Sequence, residues 1–378
     1  MKILTHHTTA LVLSGFPAGM RRRASSKWAT SSKSQLWVAA ITLFLLASNV
    51  PLQAQAYAIT DLGTLPGNSR SGAYGLNYLG QAAGFSSTPS AAIATLFSNG
   101  KVTSLSTLGS NVSVANAING SGQVAGFNIF YSDPCNCFRA FLYSNGSMID
   151  IHSASLFPSG TIAYGINSSG EVVGQGMVTS SAFHVFLYTG GRMVDLGTLG
   201  GIQAGASAIN DAGEIVGSSV TAKGDAHAFL YVNGKMADLG VPSNAYSSNA
   251  RAINGHGQIA GSITLNTNAT HAALYSNGAW TDLGAISGAV STQATGINIA
   301  GQIVGTAIFP VTSYHPYKPG KHVAFVHNNS ALVALNTLIP ANSGFTITDA
   351  VGINDSGQIV CDATNTSGST HVVLLTPK

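Results

Sequence analysis

The chain has 378 residues, 45% of them hydrophobic and only 8% charged, with 44 glycines and three cysteines. So few cysteines exclude a disulfide-built scaffold. Of the 16 Lys and Arg residues, six (Lys2, Arg21, Arg22, Arg23, Lys27, Lys33) lie in the first 56 positions, which hold no acid; this leaves ten against 13 Asp and Glu beyond them, so no basic balance speaks for nucleic-acid binding.

Residues 1–56 read as a secretory leader. Arg21 to Lys33 precede the apolar run 36–47, which is short for a bilayer span, and Ala54-Gln55-Ala56 has the small-x-small form of a cleavage site. Cleavage is expected after Ala56, with Met20 as a second candidate start and an uncleaved anchor as the alternative. The mature chain, 57–378, is expected to be secreted, periplasmic or at the cell surface, without stable membrane insertion.

From 57 onward the chain repeats. A small residue, an aliphatic one, Asn, two variable positions, Gly and then Gln or Glu recur with Asn at 77, 119, 167, 210, 254, 298 and 354, and Gly three places after each. Asn-x-x-Gly between apolar runs predicts a type I turn with a following bulge. A second turn, Asn-Gly or Gly-Gly, falls at 99, 145, 190, 233 and 277, with Asn329-Ser330 as a degraded copy. Each repeat therefore predicts four short antiparallel strands: a ending at the Asn, b after the Gly, c at the Phe-Leu-Tyr run and d at the Asp-Leu-Gly run.

The Asn-to-Asn spacings of 42, 48, 43, 44, 44 and 56 residues match the period of propeller blades. The chain opens at 57–63 with a lone d strand and ends at 371–375 with a c strand lacking its d. Together the two predict an all-β fold: a seven-bladed β-propeller of four-stranded antiparallel blades, closed by the N-terminal strand completing the last blade. The residue two before each Asn is always Gly or Ala, as close approach of innermost strands requires.

His227-Ala228-Phe229-Leu230-Tyr231, with Ile209-Asn210 and Asp238-Leu239-Gly240 around it, resembles the HAF-repeat family of exported bacterial proteins. The likeness runs over essentially all of 57–378, with partial copies at His184, His271 and His371 and with Ile93, Arg139 and Val323 at the His position elsewhere. The resemblance implies an extracellular or envelope repeat protein and offers no catalytic residues.

The repeated side chains read as structural. His184, His227, His271 and His371 begin c strands of different repeats, whereas metal ligands must converge on one ion; no metal or cofactor is expected. Asp61, Asp150, Asp195, Asp238 and Asp282 share one d-strand position and are expected to bond backbone or the His of the same sheet. The acids outside that position (Asp133, Asp225, Asp349, Asp362, and the turn residues Asp211 and Asp355) are expected not to converge. Cys361 replaces a small Gly and reads as a buried free thiol, while Cys135 and Cys137 form a tight disulfide or two exposed thiols.

Departures from the repeat are where binding is expected. Two b–c loops are enlarged, at 127–138 and 306–322, and they supply the candidate ligand-binding residues Tyr131, Tyr314, His315, Tyr317 and Lys318, suited to stacking on sugar rings or to a protein partner. No nucleophile elbow, zinc-helix, phosphate-loop or dinucleotide motif occurs. The expected function is an exported, non-catalytic binding scaffold for a polysaccharide or an envelope or extracellular protein. The alternatives are a propeller-type glycoside hydrolase or polysaccharide lyase, and a structural cell-surface repeat protein.

Overall fold

The computed structural model describes residues 56–378 apart from 132–137, 312, 315, 316, 319, 329 and 330. The leader, Cys135, Cys137 and His315 therefore lie outside the described residues, save Ala56. No helix among them is long and apolar enough to cross a membrane.

Each repeat folds as an antiparallel meander. In the fourth, strand a (Gly200–Ile209) pairs with b (Ile215–Thr221), b with c (Ala226–Val232), and c with d (Lys235–Asp238). The turn chemistry explains the meander. Asn210 and Gly213 close the a–b turn through Gly213 N–H to Asn210 O at 3.0 Å, and Gly213 sits at φ +79, a conformation that a side chain would strain. Asn233 and Gly234 have φ 53 and 78, the paired positive values of a type I′ hairpin.

The meanders do not form seven separate sheets. Six of them join in pairs into three eight-stranded sheets, and the seventh forms a sheet of four. Each pair is linked by a single parallel bridge from the start of a c strand to the start of the next a strand: Ala92 with Val112, Phe183 with Gln203, and Thr270 with Ser291. These starts lie at the same end of neighbouring sheets, close enough for backbone groups to meet. The four-stranded sheet is completed by the first strand, Tyr57–Gly63, which runs antiparallel to Thr370–Pro377 from Tyr57 against Pro377 to Gly63 against Val372.

The core lies between neighbouring sheets. Ala83 and Ala94 of repeat 1 pack with Ala115, Val124 and Phe141 of repeat 2, and Val173 and Val185 of repeat 3 pack with Ala206, Ile215 and Phe229 of repeat 4. Repeat 7 packs in the same way on repeat 1, through Val360 and Val372 against Ala73, Ala82 and Phe97. A two-faced sheet of small and branched side chains buries little alone, so stacking supplies most of the apolar burial.

The expected crowding of a strands is present: a Cβ on Gly75 would lie 2.9 Å from Ala117 Cα in the next repeat. The b strand is tighter still. A Cβ on Gly217 would come within 2.0 Å of the Gly205 carbonyl oxygen. Cys361 occupies the equivalent place in repeat 7, buried and free, and there the a strand slips register between Ile347 and Asp349. Burial, Asp362 and Asp349 together push the Cys361 thiol well above its ordinary range, so it stays protonated and unreactive.

Candidate functional site

The turn asparagines are all buried and hydrogen-bonded from repeat to repeat. Asn77 Nδ2 donates to Asn119 O, Asn119 to Asn167 O, Asn167 to Asn210 O, Asn210 to Asn254 O, Asn254 to Asn298 O, Asn298 to Asn354 O, and Asn354 back to Asn77 O. The distances run from 2.9 Å (Asn119) to 3.4 Å (Asn167). The second Nδ2 hydrogen goes to the Gln or Glu four places on, and Oδ1 accepts that residue's N–H, as in Asn254 with Gln258. The Gln/Glu side chains are thus spent inside their own repeat.

The repeated His and Asp residues clasp strands c and d. His184 Nδ1 meets Asp195 at 2.8 Å, and His227, His271 and His371 meet Asp238, Asp282 and Asp61 at 2.9 Å. The same carboxylates accept the N–H of Gly197, Gly240, Gly284 and Gly63 two residues on. Both expected partners are found at once. In repeat 2 Arg139 takes the His place, 3.5 Å from Asp150.

What the repeat pattern does not reveal is a bulge in every a strand. Every a strand slips register around Tyr74, Asn116, Tyr164, Ser207, Arg251, Thr295 or Val351, always three residues before the turn Asn, and repeats 4, 5 and 7 slip a second time nearer the strand start. The extra residue escapes the in–out alternation and is re-aimed. All seven line one cavity of about 940 Å³. Asn116 and Thr295 spend their side chains on the next repeat, donating to Ala163 O and Ala350 O at 2.7 Å. Tyr74, Tyr164, Ser207 and Arg251 make no hydrogen bond to described residues and keep their polar groups for the cavity.

The charged side chains lining this cavity are Arg251, Asp349 and Asp362. The two acids were expected not to converge. Instead they are cross-strand partners in repeat 7, both facing the cavity. Adjacent strands bring together residues 13 apart in sequence: Asp349 stands opposite Asp362 in the same register that sets Gly205 opposite Ser218 in repeat 4. Each carboxyl fixes one oxygen: Asp362 Oδ1 accepts Ala73 N–H at 3.1 Å, and Asp349 Oδ1 meets His322 Nδ1 at 2.9 Å. The other oxygen of each has no protein donor among described residues.

Burial raises the Asp362 pKa to about 7, with the Asp349 charge adding to the rise and the Ala73 N–H opposing it. Burial and the Asp362 charge raise Tyr74 above its ordinary value; burial also raises Tyr164, against the pull of Arg251. No three His, Cys, Asp or Glu side chains among the described residues gather as metal ligands.

Of the loop candidates, Tyr131 does not line this cavity. Tyr131 is 61% exposed at the end of the repeat 2 b strand. Tyr314 pairs with Tyr317, and Ser313 with Lys318, in a two-residue ladder within the repeat 6 insertion. Both insertions nevertheless begin at cavity-lining residues, Phe127 and Thr306.

Repeated antiparallel meanders stacked through their faces define a β-propeller-type fold, and a solved structure agrees. The chain resembles the β-propeller domain of the trilobed protease from Pyrococcus furiosus, reported to have an open velcro topology, at TM-score 0.56 and 9% identity over 81% of this chain and 95% of that one. It also matches TolB from Acinetobacter baumannii (TM-score 0.45, 11% identity, 79% of this chain) and spans only 64% of that protein. A gluconolactonase from Xanthomonas campestris matches at TM-score 0.42 and 8% identity, over 87% of this chain and 93% of that one. At such identities the fold alone is shared. No family model matches the chain, and neither does any of the curated proteins compared with it.

Proposed function

We propose that the chain is an exported HAF-type propeller of seven blades, closed by its first strand, that binds a glycan in the axial cavity without transforming it. Closure is supported by the asparagine cycle, in which Asn354 returns to Asn77, and by the packing of repeat 7 on repeat 1. Deleting 57–63 removes the outer strand of the last sheet together with the His371–Asp61 pair. A sharply lower melting temperature is expected, and an unchanged melt would refute closure.

One observation carries the binding reading. The buried asparagines and the core faces that hold the repeats together recur, whereas the seven bulge residues facing the cavity are nearly all different. Two tyrosine rings, a guanidinium, hydroxyls and carboxyls around one concave space suit a polyhydroxylated ligand. Titration calorimetry against soluble bacterial and plant polysaccharides is expected to give saturating heats. Arg251→Ala with Tyr164→Ala is expected to weaken binding at least tenfold. Alanine at Tyr131, Tyr314 or Tyr317 is expected to matter less; the reverse ranking would move the site to the loops and favour a surface partner.

A hydrolase or lyase is the second reading, favoured by the convergence of Asp349 and Asp362, two acids whose surroundings differ. It requires the release of new reducing or unsaturated ends, which Asp362→Asn would abolish.

A further inference from the structure

We infer that the glycan taken by the axial cavity carries a primary ammonium, as in a de-N-acetylated amino sugar, and that this ammonium seats between Asp349 and Asp362. The inference rests on the axial-cavity reading and adds the ligand's charge.

The cavity is rich in acceptors that lack donors. Asp349 and Asp362 each offer an oxygen with no protein partner, and Asn249, in the cavity wall, has a buried Oδ1 with no hydrogen-bond donor. The Asn249 oxygen is buried, and buried acceptors normally find a donor; together with two open carboxylate oxygens on the same wall it favours a donor-bearing occupant. Around the acid pair stand His322 from the repeat 6 c strand, already engaged with Asp349, and Tyr74 from the repeat 1 a strand. Cys361, the neighbour of Asp362, belongs to the core on the opposite side of the strand. Arg251 comes from repeat 5 and makes no ion pair with either acid. Among the described residues, no cation contacts both carboxyls.

An ammonium has three N–H donors and no acceptor, which matches two open carboxylate oxygens and leaves one donor for water or the Tyr74 hydroxyl. Tyr74 also offers an aromatic face to a cation. Hydroxyls of the same ligand can reach Arg251, Tyr164 and Ser207 around the cavity. Without a ligand, burial and the neighbouring Asp349 charge keep Asp362 protonated up to about pH 7. A bound ammonium replaces that proton, so binding releases protons near neutrality and strengthens as pH rises from about 6 to 8.

The test compares glucosamine tetramer with its fully N-acetylated counterpart on the purified chain, by calorimetry at pH 7.5 in phosphate and in Tris. The amine form is expected to bind at least tenfold more tightly, with apparent heats that differ between the buffers by the proton released. Asp362→Asn is expected to close the gap, while Asp225→Asn, at an exposed acid, keeps it. Equal affinities, or a gap that survives both Asp362→Asn and Asp349→Asn, would overturn the ammonium site and leave the glycan reading standing. Silence from both tetramers and from the neutral polysaccharide panel would overturn both.

Discussion

Asn254→Ala is expected to destabilise the protein by roughly 3–5 kcal/mol, since each buried polar group left without a partner costs about 1–3 kcal/mol. Asn254 Oδ1 accepts the N–H of His256 and of Gln258, and Nδ2 donates to Gln258 Oε1 and to Asn298 O. Alanine strands all four groups in a site where the native side chain is 5% exposed. Asn254→Asp separates the roles. It keeps the two acceptor bonds, loses both donors and sets a carboxylate beside two acceptor oxygens. Its penalty at pH 7 is expected to approach that of alanine and to shrink towards pH 4, where the protonated acid donates once again. Denaturant midpoints across pH, with exposed Asn342→Ala as control, measure this. A loss below about 1 kcal/mol, the net worth of one ordinary hydrogen bond, would mean that the cycle decorates the turns rather than holding them.

Asp362→Asn is expected to do the opposite and stabilise. The folded protein holds the Asp362 proton far more firmly than the unfolded chain does, because its pKa rises from 3.8 to about 7. The native state therefore binds more protons between these values, and stability falls as pH rises through that window. At full strength the loss is about 4 kcal/mol above pH 7. Asparagine cannot ionise and still accepts the Ala73 N–H. Wild type and variant should melt alike near pH 3.5, and the variant several degrees higher at pH 8. Identical melts at pH 8 would show that water or a counter-ion already relieves the pair.

These two outcomes mark what the sequence makes legible. The holding elements advertise themselves: Asn254 and its six equivalents, the Gly that follows each, the Asn-Gly hairpins and the lone strand 57–63 all recur or complement one another in the chain. The pairing of Tyr57–Gly63 with Thr370–Pro377 follows from counting strands alone. The cavity is hidden for a physical reason. Strict alternation would not single out Tyr74 or Arg251, and only a register slip, invisible in composition, turns them towards the shared space. Asp349 and Asp362 are likewise 13 residues apart with a turn between them, and they meet only because strands a and b pair in the register common to the repeats. A signal did exist. Three places before each Asn, a position that is Tyr, Asn, Tyr, Ser, Arg, Thr and Val interrupts an otherwise repetitive strand.

That position has a consequence for how such a chain changes over time. A side chain on a bulge is outside the ladder pairing and faces open space, so most replacements there leave the sheet-to-sheet contacts alone. Tyr74, Tyr164, Ser207 and Arg251 can therefore be exchanged without disturbing the buried asparagines a turn away. Drift at these sites alters the chemistry of the cavity wall while the scaffold stays under separate constraint. A combinatorial library restricted to them should yield mostly folded variants with altered selectivity, which makes this architecture a natural starting point for building receptors.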